Sequence, residues 1–249
     1  MLTEERFVRI IGMLEQHGSV TVQQLMKVLD ASESTIRRDL NALDKEGRLV
    51  KVHGGAVLKG KAYSAKDDDV EARKELHREE KIRIAKYAAS LIEPDDFVYL
   101  DAGTTTELMI DYIQSKTVTF VTNAVAHAKR LSEIGCKVYI LGGEFKASTE
   151  AVVGEEAMEA LEKYYFTKGF WGTNGVSVSK GFSTPDVKEA IIKKKSMEHC
   201  MERYILCDES KFSQLSCVSF ASFESAIILT TDIRQEIYRD YKNVVEVEI

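Results

Sequence analysis

This sequence is short of cysteine, of proline and of any long apolar stretch. Its four cysteines, Cys136, Cys200, Cys207 and Cys217, form no Cys-x-x-Cys pair. That spacing excludes a disulfide framework and a thiolate metal site, and points to free thiols in a reducing cytoplasm. His17, His77, His127 and His199 lack ligand spacing too, so neither a metal nor a cofactor is expected. No apolar run approaches the roughly 20 residues of a membrane span. The charged amphipathic start, MLTEERFVRI, is unlike a secretory leader. A cytoplasmic protein with no membrane partner is the expectation. An excess of positive charge is missing as well: the net charge of −6, taken whole, argues against a nucleic-acid partner.

The distribution of that charge says otherwise. At 249 residues the chain is long enough for two domains, and 44% hydrophobic with 30% charged residues describes an ordinary globular protein. Residues 1–61 carry ten Lys/Arg and eight Asp/Glu, a balance of +2 that leaves −8 for the remainder. Within residues 34–61 the count is seven basic against three acidic. A basic segment on an acidic chain is the electrostatic footprint of a local nucleic-acid site.

That segment has a readable pattern. Phe7, Ile10, Ile11 and Leu14 share one face of a helix running from Glu4 to His17. Thr21 and Gln24 have capping-box form and open a second helix. After Asp30-Ala31-Ser32, with Ser32 as N-cap, a third helix is predicted to run to about Glu46, with Gly47 as its αL cap. Ile36, Leu40 and Leu43 form its apolar stripe, while Ser34, Arg37, Arg38 and Asn41 lie roughly on the opposite face, left to meet a partner. Arginine can read guanine or grip phosphate, and asparagine can read adenine. Arg48 to Val52 and Ala56 to Leu58 bracket His53-Gly54-Gly55, a hairpin whose Arg48, Lys51 and His53 add further phosphate contacts. This is a winged helix-turn-helix. The plainer alternative is a three-helix adaptor with a solvated basic face.

In the rest of the chain, short apolar runs alternate with helical segments. Residues 59–69 read as a linker, and one long helix is predicted from about Val70 to Ile92, closed by Pro94. Strands are predicted at Phe97–Leu100, Val118–Val121, Lys137–Leu141, Phe166–Trp171, Arg203–Cys207, Ala226–Leu229 and Val244–Val247. The alternation predicts a largely parallel sheet covered on both faces. Beyond the first strand, Asp101-Ala102-Gly103-Thr104-Thr105-Thr106 brings a glycine turn and three hydroxyls to a helix start, a phosphate cradle. Polar clusters recur at four other strand ends: Thr122-Asn123, Gly142-Gly143, Gly172 to Gly175 with Asn174, and Asp208 to Lys211. Ligands of parallel sheets gather at such ends. Thr104, Thr105, Thr106 and Lys211 are thus candidates for phosphate, and Asp101 and Asn123 for sugar hydroxyls. Gly103, Thr122, Gly142, Gly143 and Asn174 complete the expected polyol-phosphate pocket. Lys193-Lys194-Lys195 reads as a solvated charge run, and Trp171 as pocket wall or core.

Ser32-Glu33-Ser34-Thr35-Ile36-Arg37-Arg38-Asp39-Leu40, followed by Gly47-Arg48-Leu49 and His53-Gly54-Gly55-Ala56, closely resembles the DNA-binding segment of DeoR-family bacterial regulators of sugar metabolism. The resemblance places Ser34, Thr35, Arg37 and Arg38 on a recognition helix. The second half resembles the sensor domain of that family, which is similar in fold to ribose-5-phosphate isomerase. It implies a winged helix-turn-helix at residues 1–58, a linker and start of the connecting helix at 59–75, and an α/β sensor domain at 76–249. It further implies a homo-oligomeric repressor, dimer or tetramer, with operator DNA and a sugar-phosphate effector as partners. Where the isomerases carry an Asp-Gly-Ala-Asp motif, this chain has Trp171-Gly172-Thr173-Asn174. Glu189 falls at the place of their base, so the resemblance implies binding without catalysis. Gly172 to Val176, Gly181 to Asp186 and Thr149-Glu150-Ala151 look like the fructose-operon repressors of Gram-positive bacteria, although Ser183 stands where their motif has Thr. That likeness implies fructose 1-phosphate, with tagatose 6-phosphate or glycerol 3-phosphate as alternatives.

Overall fold

The computed structural model describes residues 3–17, 19–46, 48–52, 54–58, 70–233 and 238–248. The expected cap at Gly47, the turn residue His53 and the linker at 59–69 lie outside the described residues.

The first part contains α1 (Thr3–His17), β1 (Ser19–Thr21), α2 (Val22–Leu29), α3 (Glu33–Lys45), β2 (Leu49–Val52) and β3 (Gly55–Leu58). Local hydrogen bonds set the helix starts. Thr21 Oγ1 accepts from the Gln24 N–H at 3.1 Å, and Gln24 Oε1 accepts from the Thr21 N–H at 2.9 Å. Asp30, at φ 47°, ends α2, and Ser32 caps α3 by accepting from the Thr35 N–H. Ile10, Leu14, Leu25, Ile36, Leu40, Leu43 and Leu49 make the core of this part. Asp39, beside the two exposed arginines, turns inward and holds Arg6 of α1 through two hydrogen bonds, 2.6 and 3.0 Å. The wing has a strand the sequence reading lacked: β1 pairs with β3 opposite β2. A Cβ on Gly55 would sit 2.1 Å from the Val20 carbonyl oxygen, so only glycine fits that crossing.

The second part begins with α4 (Val70–Glu75) and α5 (Arg78–Ser90). The single helix expected from 70 to 92 is therefore two. His77 takes a left-handed φ of 53°, and Lys81 Nζ donates to the Arg73 carbonyl at the end of α4. With the break, α4 touches the later helix Thr104–Met109, and α5 packs against that helix and the strands Cys200–Leu206 and Ile227–Thr230. There follow β4 (Phe97–Leu100), α6 (Thr104–Met109), β5 (Thr119–Thr122), α7 (Val125–Glu133), β6 (Lys137–Ile140), β7 (Glu144–Lys146), β8 (Ala151–Val153), α8 (Glu155–Leu161), β9 (Phe166–Gly172), β10 (Gly175–Ser177), β11 (Gly181–Thr184), α9 (Val187–Glu198), β12 (Cys200–Leu206), β13 (Val218–Ala221), β14 (Ile227–Thr230) and β15 (Val244–Glu246).

Seven of these strands form one parallel sheet in the order β15-β14-β12-β9-β4-β5-β6. Ile84, Ala88, Val98, Leu100, Phe120 and Leu131 fill one face; Tyr99, Val121, Trp171, Ile192 and Ile205 fill the other. Trp171 is core, and its indole N–H donates to Ser196 Oγ at 2.9 Å. From β4 the chain builds outward through β5 to β6, then returns to β9 on the other side of β4 and builds outward through β12. The direction of winding thus reverses between β4 and β9. Connections that leave on opposite faces there open a crevice between the strand ends.

Candidate functional site

A cleft lies over that reversal, at the C-terminal ends of β4, β9 and β12. Its enclosed space is about 60 Å³, and the open mouth with its solvent brings this to about 670 Å³. The turn after β4 supplies Gly103, Thr104 and Thr105, the turn after β9 supplies Thr173 and Asn174, and the turn after β12 supplies Asp208 and Lys211. Arg73 of α4, Lys81 of α5, Thr149, and Glu189 and Lys193 of α9 complete the wall.

Five expected pocket residues are therefore together: Gly103, Thr104, Thr105, Asn174 and Lys211. Six others are not, and all but Gly142 have a structural task. Thr106 Oγ1 is fully buried and donates to the Asp101 or Gly103 carbonyl. Thr122 Oγ1 accepts from the Ala124 N–H. Asn123, 2% exposed, accepts from the Ala102 N–H at 2.9 Å and reaches the Val152 carbonyl, tying the β4 turn to β8. Gly142 and Gly143 follow β6 at the sheet edge, where a Cβ on Gly143 would lie 2.5 Å from the Val153 carbonyl oxygen. Asp101, 1% exposed, lies beneath the cleft.

Asp101 has an unexpected partner. Lys193, placed by the sequence reading on a solvated face, is 5% exposed and donates to Asp101 Oδ2 and to the Gly172 carbonyl. Asp101 Oδ2 also accepts from the Gly172 N–H. This buried pair stitches β4 to β9 at the reversal. Burial pushes the Asp101 carboxyl above its ordinary range, against the pull of Lys193. Glu189 is committed in the same way, accepting from Lys146 Nζ at 2.8 Å and Thr149 Oγ1 at 2.5 Å.

Lys81, like Arg73, is a cleft cation absent from the expected pocket. It is 5% exposed and donates to Thr104 Oγ1 at 3.1 Å as well as to Arg73. Burial lowers its pKa to about 8; Asp208 opposes that shift, and Lys211 and Arg73 add to it. His127 is held neutral by burial, its pKa lowered to about 3, and its Nε2 lies 3.1 Å from Thr106 Oγ1. A signal for both lysines exists in the sequence. Lys81 falls in the apolar stripe with Ile84, Ala85 and Ala88, and Lys193 in that with Ala190, Ser196 and Met197. A lysine on the buried side of a helix needs an anion or carbonyl nearby.

In the first part, Ser32, Ser34, Arg37, Arg38, Asn41, Arg48 and Lys51 are exposed, and Thr35 is half-buried. Arg37 Nε donates to Glu33 at 2.8 Å, and Lys51 Nζ donates to Asn41 Oδ1 at 2.7 Å, so the wing touches α3. Arg38 makes no contact of this kind with a described residue.

Residues 6–61 match the model of the DeoR-like helix-turn-helix domain, and residues 76–233 match that of the DeoR C terminal sensor domain. The chain belongs to the DeoR family. Among DeoR-type relatives, a Bacillus subtilis strain 168 protein named as an uncharacterized HTH-type transcriptional regulator, FruR, is 42% identical over 100% of this chain and 99% of its own. The HTH-type transcriptional regulator IolR of the same strain is 33% identical over 91% of this chain and 90% of its own. The lactose phosphotransferase system repressor of Streptococcus mutans is 32% identical over 95% of this chain and 94% of its own. Among solved structures, ribose 5-phosphate isomerase A from Methanocaldococcus jannaschii aligns over 53% of this chain and 52% of its own, at a TM-score of 0.40 and 17% identity. No described helix of this DeoR-family chain is long and apolar enough to cross a membrane.

Proposed function

We propose that this DeoR-family regulator is a cytoplasmic repressor of a sugar-utilisation operon. Residues 1–58 grip operator DNA through α3 and the wing, 59–75 connect, and 76–249 sense a sugar phosphate. The observation that carries the reading is the composition of the cleft. On the described cleft wall Arg73, Lys81 and Lys211 stand beside Asp208, while Lys193 is balanced by Asp101 and Glu189 by Lys146. An excess of cations beside Thr104, Thr105 and the Gly103 turn suits a phosphate. Asn174 and Thr149 line the same wall and suit hydroxyls. Where the isomerases carry two carboxylates in an Asp-Gly-Ala-Asp motif this chain has Trp171-Gly172-Thr173-Asn174, and general acid–base chemistry needs its partner groups in place, which supports binding without turnover. Fructose 1-phosphate is the effector we favour, on the likeness of Gly172 to Val176 and Gly181 to Asp186 to fructose-operon repressors. Two-fold operators suit a dimer or a dimer of dimers.

The test is fluorescence anisotropy on the DNA upstream of the protein's own gene. Fructose 1-phosphate is expected to change the affinity, and fructose is not. Response only to tagatose 6-phosphate or glycerol 3-phosphate would replace the effector and keep its class; no response to any of the three would remove the sensor reading.

The lowered pKa of Lys81 sets a pH dependence. Above about 8 the free protein holds Lys81 neutral, so binding an anion must take up a proton. Affinity is expected to fall by up to about tenfold per pH unit there. It also falls below about 6, where a phosphate monoester loses its second charge. Calorimetry from pH 5 to 9 should give an optimum between these limits, and Lys81→Met should remove the alkaline limb.

A further inference from the structure

The two edges of the large sheet are finished differently. β15 closes one side with two half-buried valines and the exposed Glu246, and a charge on an edge strand discourages a further strand. β6 closes the other side, and among the described strands it pairs with β5 alone. Its one charge, Lys137, stands at its start, while Tyr139 and Ile140 remain 41% and 47% exposed. Val138 packs with the core beneath α7, and Leu141 belongs to the core of the opposite face. Alternation along the strand therefore puts Ile140 on the first face and Tyr139 on the second. Apolar side chains left half open on both faces of an edge are what a further strand would cover. The neighbouring segments extend the patch, with Val125 exposed at the start of α7 and Phe145 exposed in β7.

The backbone fixes the phase of that edge. The Leu141 N–H donates to the Thr122 carbonyl at 2.9 Å, and along a parallel pair alternate residues turn their N–H and C=O to the same neighbour. Tyr139 thus bonds toward β5, and Val138 and Ile140 turn their N–H and C=O groups away from it. A second copy of β6 meets those groups through a two-fold axis. An axis normal to the sheet keeps each side chain on its own face, so it must pass at a residue and not between two. Set at Tyr139, it puts Val138 opposite the partner's Ile140 and Ile140 opposite the partner's Val138, where each pair can exchange two backbone hydrogen bonds. The two Tyr139 rings then lie side by side as the close, non-hydrogen-bonded pair. The same axis runs α7 antiparallel to its copy. Lys129 and Glu133, exposed one turn apart on α7, are there offered the opposite charge on the partner.

We propose that β6 is the strand through which two sensor domains join, pairing antiparallel with β6 of a second copy so that one continuous sheet crosses the dimer. The inference rests on the reading of the protein as a homo-oligomeric repressor and names the surface that joins it. An isologous contact of this kind is self-complementary and closed, so each copy covers the edge that the other leaves open. Its axis then relates the two helix-turn-helix domains that meet paired half-sites.

Sedimentation velocity of the full chain over a dilution series tests this, with thermal unfolding as the check on folding. The wild type is expected to associate. Tyr139→Glu and Tyr139→Lys each set like charges against each other at the axis and should weaken that association roughly tenfold or more. An equimolar mixture of the two should restore it, because opposite charges then meet; damage to the fold would not be repaired by mixing. Tyr139→Cys, treated with a thiol oxidant, should give a disulfide-linked dimer, since facing residues of a non-hydrogen-bonded pair lie about 4.5 Å apart at Cα, within disulfide range. The wild type, with its exposed Cys217, supplies the background. An association that survives both charge variants, with Tyr139→Cys no more crosslinked than the wild type, overturns the inference and leaves the oligomeric reading standing. A wild type that sediments as a monomer at every concentration removes both.

Discussion

Arg37→Ala combined with Arg38→Ala is expected to weaken operator binding by roughly 100-fold or more, with thermal unfolding unchanged. Both arginines are exposed on α3, opposite Ile36, Leu40 and Leu43, so their removal leaves the core intact. A side chain that reads a base is worth about 1–3 kcal/mol of discrimination, and a phosphate contact changes the salt slope by about one. Separate Arg37→Ala and Arg38→Ala variants, titrated at several salt concentrations, assign each arginine to one of these roles. Glu33 holds Arg37 at 2.8 Å in the free protein, so DNA must compete for it, and Glu33→Gln should tighten binding modestly. Unchanged affinity in the double variant would mean that α3 does not meet DNA. Asp39 is the instructive contrast. It follows Arg38 directly but points inward to Arg6, so Asp39→Ala should lower the melting temperature rather than alter the salt slope.

Lys193→Met is expected to destabilise the sensor domain by about 3–5 kcal/mol near pH 8, the usual cost of leaving a buried charge without its partner. Asp101 remains 1% exposed, with the Gly172 N–H the one donor left to its carboxylate among the described residues. The sign of the pH dependence follows. Burial already raises the carboxyl above its unfolded value, and removing Lys193 raises it further. The folded state then binds the extra proton, so the variant is most stable in acid and loses stability as pH rises through the raised pKa. Urea unfolding at pH 5 and pH 8, followed through buried Trp171, should show the larger deficit at pH 8. Asp101→Asn with Lys193→Met should recover part of the loss, since a neutral amide costs less to bury. A deficit below about 1 kcal/mol at pH 8 would show that this pair does not hold β4 against β9.

How much of this was legible beforehand depended on the range of the interactions involved. The helix-turn-helix was readable because its decisive bonds are three residues apart, Thr21 with Gln24 and Ser32 with Thr35, and its basic face follows from helical period alone. The alternation of strands and helices was readable for the same reason. Wing strand β1 was missed because three residues carry almost no period and its partner lies beyond the other two helices. The break at His77 was missed because neither glycine nor proline marks it.

The candidate pocket was half legible. All five decorated strand ends were visible as motifs, but a motif does not state which strand lies beside which. Pairing β9 rather than β5 with the far side of β4 placed the turns of β4, β9 and β12 around one cleft and left Asn123 and Gly143 packed beside β8, away from it. The sequence by itself determined the two kinds of domain, the face of α3 and the hydroxyl-rich turn at Thr104, because hydrogen-bonded rings and periodic burial are local properties. The tertiary structure alone decided that Arg73, Lys81 and Lys193 join that turn. Their roles come from charges brought together across separations as long as 92 residues, between Asp101 and Lys193, and the desolvation that makes such charges pair exists only once the sheet has closed over them.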